Sequence, residues 1–584
     1  MPPFRTSKPR KRKISSNSSA SSSKDQNEVA NSDEPDFKTR MWLSWNQMIN
    51  APTPYLKILN ANIFVPTMAL SIAFDKESFS FDVILGSLGL LIATALTVYR
   101  MAKFRKPGSS YLQLSHMPWQ FAPCLLSIFT KSIIFSLVLI LISLVLVVLM
   151  PPIVRLPPPR GPYRVSTLDT VIQLRPVDSS TPSKKKKNDD SKPALLSKKV
   201  GSTLQHARIF YPTSTTEEQS SEPTRYFAQS IPQLKGLAQF VKTPVLLFAY
   251  LKNGIETSTI ENGEPLDWPN NRPKRPLIIF QHGLGGWRAA YSSLCADWAS
   301  FGSVVICLES QDGTAVATSQ RGLNPAEGVA FYTVPTKEQL DTGSAMLMRR
   351  HQIAERLSDI DSLLDTLHNS YAGDNDNQDW KRLVKKIADI SRVHLAGHSF
   401  GGCSVTEMSV RGLQRKNNVK LMSCLSLDGW IEPMSEDSLN NGKLLCPTLF
   451  INSDSFQWDK NVSLMKSLIE RCGTRCAVAT IEKTGHQDVS DFAAFMPNLL
   501  YFRKSAGPLN PFEAVYAFSD ASAALFGETE SRFNMKKSTL KDEQLQELRT
   551  KEPQYFRDIY QPGHTLADRL NGVKHLRVDA ITSK

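Results

Sequence analysis

The sequence predicts an α/β fold, a mostly parallel sheet flanked by helices, preceded by transmembrane helices. Three observations predict it. Short β-branched runs alternate with amphipathic helical stretches from about 207 to 500, a sharp glycine-rich turn closes one of those runs, and long uncharged stretches precede them all. Pro276 to Gln281, Ser303 to Leu308, Val393 to Ala396, Leu421 to Leu427 and Pro447 to Ile451 read as buried strands. Ile353, Leu357, Ile360, Leu364 and Leu367 recur every three or four residues and mark one face of a helix. No internal repeat is visible.

The uncharged stretches come first in the chain. Ser132 to Met150 is nineteen residues without a charge, closed by Pro151-Pro152. As a helix it spans the roughly 30 Å of a bilayer's hydrocarbon. Val83 to Tyr99 is a second candidate span, and Ile58 to Phe74, interrupted by Asn60, Asn62 and Pro66, a weaker third. Arg100, Lys103, Arg105 and Lys106 form a basic loop that should stay cytoplasmic. Three spans would put everything after Met150 on the lumenal or extracellular side; two would set the basic loop against the basic N-terminus. Residues 1 to about 40 are poor in apolar side chains and are expected to be a disordered tail rather than a signal peptide. The expected catalytic domain runs over 156–520, with a disordered Ser/Lys/Asp-rich insertion at 179–203, and 521–584 is expected to be a polar tail.

The 584 residues carry a net charge of +14, much of it in Lys8 to Lys13 and Lys184 to Lys187. Neither tract interleaves aromatic side chains and no nucleic-acid motif accompanies them, so nucleic acid is not an expected partner. A basic tail beside a membrane segment is drawn to anionic head groups, but a solvated, disordered tail is the favoured reading of Lys8 to Lys13. None of the eight cysteines forms a C-x-x-C pair. Cys472 and Cys476 lie four apart with no histidine pair to complete a metal site.

The chemistry centres on Gly397-His398-Ser399-Phe400-Gly401-Gly402, which follows the strand Val393 to Ala396 and precedes a helical stretch, Cys403 to Val410. Strand, G-x-S-x-G, helix is the setting of a nucleophile elbow, in which glycines permit the turn and expose the serine. A serine hydroxyl needs a base to take its proton and an acid to orient that base, in the chain order serine, acid, histidine. His486, His564 and His575 follow Ser399; only His486 stands at the end of an apolar strand, Ala477 to Ile481. Asp428 and Asp454 both end strands, and the pattern leaves the choice of acid open. Gln281-His282-Gly283-Leu284-Gly285-Gly286 follows a strand one repeat earlier and suits an oxyanion loop, with Leu284 and Phe400 as backbone donors. The pattern as a whole is that of an α/β-hydrolase esterase.

Leu156-Pro-Pro-Pro-Arg-Gly-Pro-Tyr163, Ala207-Arg-Ile-Phe-Tyr-Pro212, His282-Gly-Leu-Gly-Gly286, Asp312-Gly-Thr-Ala315, the elbow, Leu427-Asp-Gly-Trp430, and His486-Gln487 with Ser490-Asp-Phe492 occur in one order. In that order they resemble the plasma-type platelet-activating-factor acetylhydrolases, the calcium-independent group VII phospholipases A2, over roughly residues 156 to 500. The resemblance implies Ser399, Asp428 and His486 as a triad, so Asp428 rather than Asp454, with Leu284 and Phe400 as oxyanion donors. It implies hydrolysis of the sn-2 ester of phospholipids bearing acetyl, short or oxidised chains, without metal or cofactor. The chain departs from the family at Glu309-Ser310-Gln311, where a His-Arg pair is usual, and in its membrane region, its insertion and its tail. An esterase for other lipid or small esters, or a non-catalytic membrane scaffold on the same fold, are the alternative readings. Oligomeric state is not legible.

Overall fold

The structure is a computed structural model that describes residues 154–174, 203–216, 224–227, 230–242, 255–267, 274–319, 329–369, 379–413, 419–473, 475–495, 503–537 and 565–582, with isolated positions at 137–138, 140–142, 245, 248 and 500–501. The expected N-terminal tail, the candidate spans 58–74 and 83–99, most of 132–150 and the insertion at 179–203 lie outside the described residues. Among the described residues no helix is long and apolar enough to cross a membrane.

The core is a ten-stranded sheet. In chain order its strands are β1 (Arg164–Leu174), β2 (Thr203–Thr213), β3 (Ile260–Glu261), β4 (Arg275–Gln281), β5 (Val304–Leu308), β6 (Ala388–His398), β7 (Lys420–Leu427), β8 (Thr448–Ser453), β9 (Cys476–Ile481) and β10 (Leu576–Ile581). Their spatial order is β10-β9-β8-β7-β6-β4-β5-β2-β1-β3. The run from β5 through β4, β6, β7 and β8 to β9 is parallel throughout. On one flank β2 pairs antiparallel with both β5 and β1, and on the other β10 pairs antiparallel with β9.

The parallel strands read as unbroken apolar runs because both faces are covered. Within β4, Ile278 and Phe280 enter one core while Leu277 and Ile279 enter the other. In β8, Leu449 and Ile451 share the first core and Phe450 the second. The first core is closed by α1 (Ser230–Phe240), α2 (Ser292–Ser300) and, through Phe518, Ala521 and Leu525, by the long C-terminal helix that becomes α7 below. The second is closed by α3 (Ser344–His368), α4 (Asp379–Ile387), α5 (Phe400–Arg411) and α6 (Asp459–Glu470). All five strands expected from the β-branched runs, and the helix carrying Ile353 to Leu367, are present. This is an α/β-hydrolase-like arrangement.

The region after 520 differs from the polar tail expected of it. Helix α7 (Pro511–Lys537) buries Phe518, Ala521, Leu525 and Phe526, and β10 is an integral strand, led into by α8 (Leu566–Asn571). Polar side chains mask these elements in the sequence because several are themselves buried and paired. Glu530 is buried and bonds both Arg392 Nη1 at 2.8 Å and His394 Nε2 at 3.0 Å.

Candidate active site

Helix α5 begins directly at the end of β6, and Ser399 occupies the corner with φ 56° and ψ −117°, a conformation costly for a residue with a side chain. Its neighbours enforce it. Ser399 N–H donates to Leu427 O at 2.9 Å, and Ser399 O accepts from Trp430 N–H at 3.1 Å. A Cβ at Gly397 would collide with the Gly401 carbonyl, and one at Gly401 with the Gln281 carbonyl, so neither position tolerates a side chain.

Ser399 Oγ lies 3.0 Å from His486 Nε2, and His486 Nδ1 lies 2.8 Å from Asp428 Oδ2. Three separate strand ends supply this line: β6 for Ser399, β7 for Asp428, and the loop after β9, where a single 3₁₀ turn (His486–Val489) carries the imidazole. Asp428 is fully buried, and its carboxylate also accepts from Ser453 N–H at 2.8 Å and Ser453 Oγ at 2.6 Å. His486 stacks on Phe456 with ring centroids 3.7 Å apart, which leaves its edge partly open to solvent. Asp454, the competing acid, is exposed and accepts from Lys483 N–H at 3.2 Å, away from His486 Nδ1. His575 does not join this line: it precedes β10, where its carbonyl accepts from Glu482 N–H; His564 lies outside the described residues.

The glycine loop after β4 stands beside the elbow. A Cβ on Gly283 would sit 3.0 Å from Ser399 Cβ. Gly285 N–H donates to Thr314 O at 2.8 Å and Gly286 N–H to Gly283 O at 3.1 Å, which fixes the loop around Leu284. Phe400 is the first residue of α5, and a first-turn N–H has no carbonyl one turn earlier to bond. Leu284 and Phe400 therefore belong to two backbone segments that meet at Ser399.

Several residues that build this site carried no motif. Arg356 of α3, fully buried, donates to His282 O at 2.6 Å, Thr314 Oγ1 at 2.5 Å and Asp312 Oδ2 at 2.8 Å. It thereby gives the Asp312-Gly-Thr-Ala315 segment its place: that segment holds the glycine loop from below. Despite the burial that opposes ionisation, Arg356 holds the Asp312 carboxyl below its ordinary value. Its position on the apolar face of α3, between Ile353 and Ile360, was the available signal. His282 is buried, its Nδ1 donating to Gly283 O at 2.7 Å and its Nε2 accepting from Ser310 N–H at 3.1 Å. Burial, reinforced by Arg356, pulls it down to about 4. Glu309 and Gln311, where the sequence departs from its family, are structural here. Buried Glu309 pairs with Arg288 at 2.6 Å, and Gln311 Nε2 reaches the carbonyls of Leu204 and Ser319.

Two acids support the His486 loop. Asp488 accepts from Gly485 N–H and Gly507 N–H, each at 2.7 Å, and burial raises it to about 6. Asp491 caps α2 by accepting from Ser292 N–H at 2.6 Å and Ser293 N–H at 3.1 Å, and burial raises it to about 7. Among the described residues, His398, Asp428 and His486 are the group whose ligand atoms converge, within 4.8 Å. Asp428 and His486 already bond each other, and His398 Nδ1 is engaged by Tyr291 at 2.9 Å, so the arrangement suits proton transfer better than cation binding.

Residues 154–549, more than half of the 584, match the family described as platelet-activating factor acetylhydrolase, isoform II. The chain is 30 % identical over 266 residues to the platelet-activating factor acetylhydrolase of Gallus gallus, covering 43 % of this chain and 61 % of that one. It is 28 % identical over 305 residues to the protein of that name from Canis lupus familiaris, covering 49 % and 62 %. A putative phospholipase A2 of Schizosaccharomyces pombe is 25 % identical over 359 residues, covering 53 % and 80 %. The match thus spans a little under two thirds of the two vertebrate relatives. With the family's segments assembled around one serine corner, the chain belongs to the platelet-activating factor acetylhydrolase, isoform II, family.

Proposed function

We propose that this chain is a membrane-anchored serine esterase that hydrolyses the sn-2 acyl ester of phospholipids carrying acetyl, short or oxidised chains. The observation that carries the reading is the hydrogen-bonded line from Ser399 through His486 to buried Asp428. Ser399 Oγ attacks the ester carbonyl while His486 Nε2 takes its proton, and Asp428 stabilises the imidazolium through Nδ1–H. The carbonyl oxygen becomes an oxyanion that accepts from the N–H groups of Leu284 and Phe400. Collapse breaks the bond to the sn-2 oxygen, which leaves with the proton from His486 as the lysophospholipid alcohol. Water then gives a proton to His486 and attacks the acyl-enzyme, releasing the carboxylic acid and restoring Ser399.

The phospholipid assignment is supported by family membership and by the relatives' names. Membrane anchoring is supported by the uncharged run Ser132 to Met150. Of that run, Leu137, Val138, Leu141 and Ile142 are helical and expose apolar side chains, as lipid-facing residues do. The basic loop Arg100 to Lys106 favours a lumenal or extracellular catalytic domain.

The test is fluorophosphonate labelling of the membrane fraction, wild type beside Ser399→Ala, followed by acid release from short-chain and long-chain phosphatidylcholines. Labelling and short-chain release that both vanish in Ser399→Ala are the expected result. Labelling without phospholipid turnover would move the activity to other esters, and wild-type protein that takes no label would leave a scaffold.

A further inference from the structure

One hydroxyl joins the two halves of the proposed oxyanion site. Gly283, the residue before Leu284, donates its N–H to Tyr291 Oη at 3.1 Å. The same Oη lies 2.9 Å from Nδ1 of His398, the residue before Ser399. A peptide N–H can only donate, so the hydroxyl accepts from Gly283, and its own proton is available to His398 Nδ1. With the hydroxyl donating to Nδ1, the proton of His398 sits on Nε2, on the side of the His486 main chain. Nε2 is buried, makes no full hydrogen bond and faces the main chain of His486. The imidazole lies between its partners, with ring centroids 5.4 Å from Tyr291 and 4.5 Å from His486.

The surroundings keep the pair neutral. Tyr291 is 3 % exposed and His398 2 %. Burial raises the Tyr291 hydroxyl above its ordinary value, and burial together with His486 holds His398 well below its own. Tyr291 itself is fixed from the other side, because it immediately precedes α2, whose first N–H groups are capped by Asp491 five residues beyond His486. Loop, elbow and histidine turn thus converge on one side chain.

We infer that Tyr291 and His398 are positioning residues that hold the Leu284 and Phe400 N–H groups in register with Ser399, setting the depth of the oxyanion site without touching substrate. The inference rests on the esterase reading of the same site. A donor must stand about 2.7–3.1 Å from the oxyanion to stabilise it, and a misplacement of about 1 Å costs on the order of 100-fold in rate. Loss of the hydroxyl leaves Gly283 N–H and His398 Nδ1 buried without the partner that couples them.

The experiment uses the full-length protein in detergent, comparing Tyr291→Phe, His398→Leu and His398→Asn with wild type. Two quantities are measured: steady-state hydrolysis of a short-chain phosphatidylcholine, and protection of Ser399 from fluorophosphonate by a trifluoromethyl ketone, which forms a tetrahedral oxyanion. Tyr291→Phe should lower kcat on the order of 10- to 100-fold with KM held within about twofold, and weaken the ketone by a matching factor. His398→Leu should do the same. His398→Asn, which returns an acceptor near the position of Nδ1, should recover most of the loss, and combining Tyr291→Phe with His398→Leu should add little to either. An unchanged kcat, a KM that rises in proportion, ketone affinity equal to wild type, or His398→Asn no better than His398→Leu would overturn the inference. Because the ketone arm reads labelling of Ser399 alone, it reports on the pair even if phospholipid proves the wrong substrate.

Discussion

Replacing Asp428 with asparagine tests the proposed triad most sharply, because the structure dictates which way the amide must turn. One carboxylate oxygen accepts from Ser453 N–H at 2.8 Å, and that main-chain donor cannot reverse its role. The amide oxygen must therefore take the Oδ1 position. The amide NH₂ then falls at Oδ2, where Ser453 Oγ and His486 Nδ1 now converge at 2.6 Å and 2.8 Å. The serine hydroxyl can rotate to accept, but His486 can accept only by losing its proton from Nδ1. Its proton moves to Nε2, which then donates to Ser399 Oγ and can no longer take that oxygen's proton. The fold is preserved and the base is in the wrong tautomer. In a Ser-His-Asp triad that exchange lowers kcat by about 10⁴-fold, roughly 5 kcal/mol of barrier. The assay is short-chain phospholipid hydrolysis by Asp428→Asn at neutral pH, with the urea midpoint as a check of folding and Asp454→Asn in parallel. Activity within tenfold of wild type in a folded Asp428→Asn, or an equal loss in Asp454→Asn, would refute the reasoning.

Further predictions concern the frame around the site. Arg356→Met should destabilise the folded state by about 3–5 kcal/mol, because it strands the buried Asp312 carboxylate; a change in urea midpoint too small to reach 1 kcal/mol would show that Asp312 finds another partner. His282 makes the acid side testable. Its folded value of about 4 lies below the ordinary 6.5, so neutral His282 contributes stability that is fully present above about pH 6.5 and lost as pH falls through about 4. The stability difference between wild type and His282→Gln should therefore shrink by about 3 kcal/mol over that window, measured by urea titration at each pH; a difference independent of pH would contradict it.

The parallel heart of the sheet was legible because each strand is covered on both faces and so announces itself as an uninterrupted apolar run. The flanks were harder. β1 alternates Leu168, Asp169, Thr170 and Val171, and its Asp169 is spoken for by Arg208 and Arg288, contacts from distant parts of the chain that no local pattern reveals. Helix α7 and β10 were read as tail for a similar reason: Glu528 and Glu530 look like solvent-facing charges until the structure supplies Arg475, Arg392 and His394. At the site, the sequence order located Ser399 and His486, yet Asp428 and Asp454 stood equally at strand ends. The structure separates their surroundings: Asp428 is buried, takes two donors from Ser453 and bonds His486, whereas Asp454 is exposed. Tyr291 and Arg356 were invisible as site residues because their partners, main-chain atoms of the glycine loop and the side chains of His398, Asp312 and Thr314, lie far away in sequence and form no local pattern with them.

The antiparallel strand β10 has a consequence for how the molecule is made. Its residues, Leu576–Ile581, are paired with β9, whose own sequence ends at Ile481. Between the emergence of these two strands a ribosome must translate nearly a hundred further residues, some seconds of synthesis. For that interval β9 is a bare apolar edge, the kind of surface that recruits other chains. Helix α7, translated in between, packs near β9 and can shield a face but not the hydrogen-bonding edge itself. A nascent chain stalled in this window would hold Ser399, Asp428 and His486 already outside the ribosome and still present an open seam, so a site with all its side chains synthesised is not yet a closed sheet.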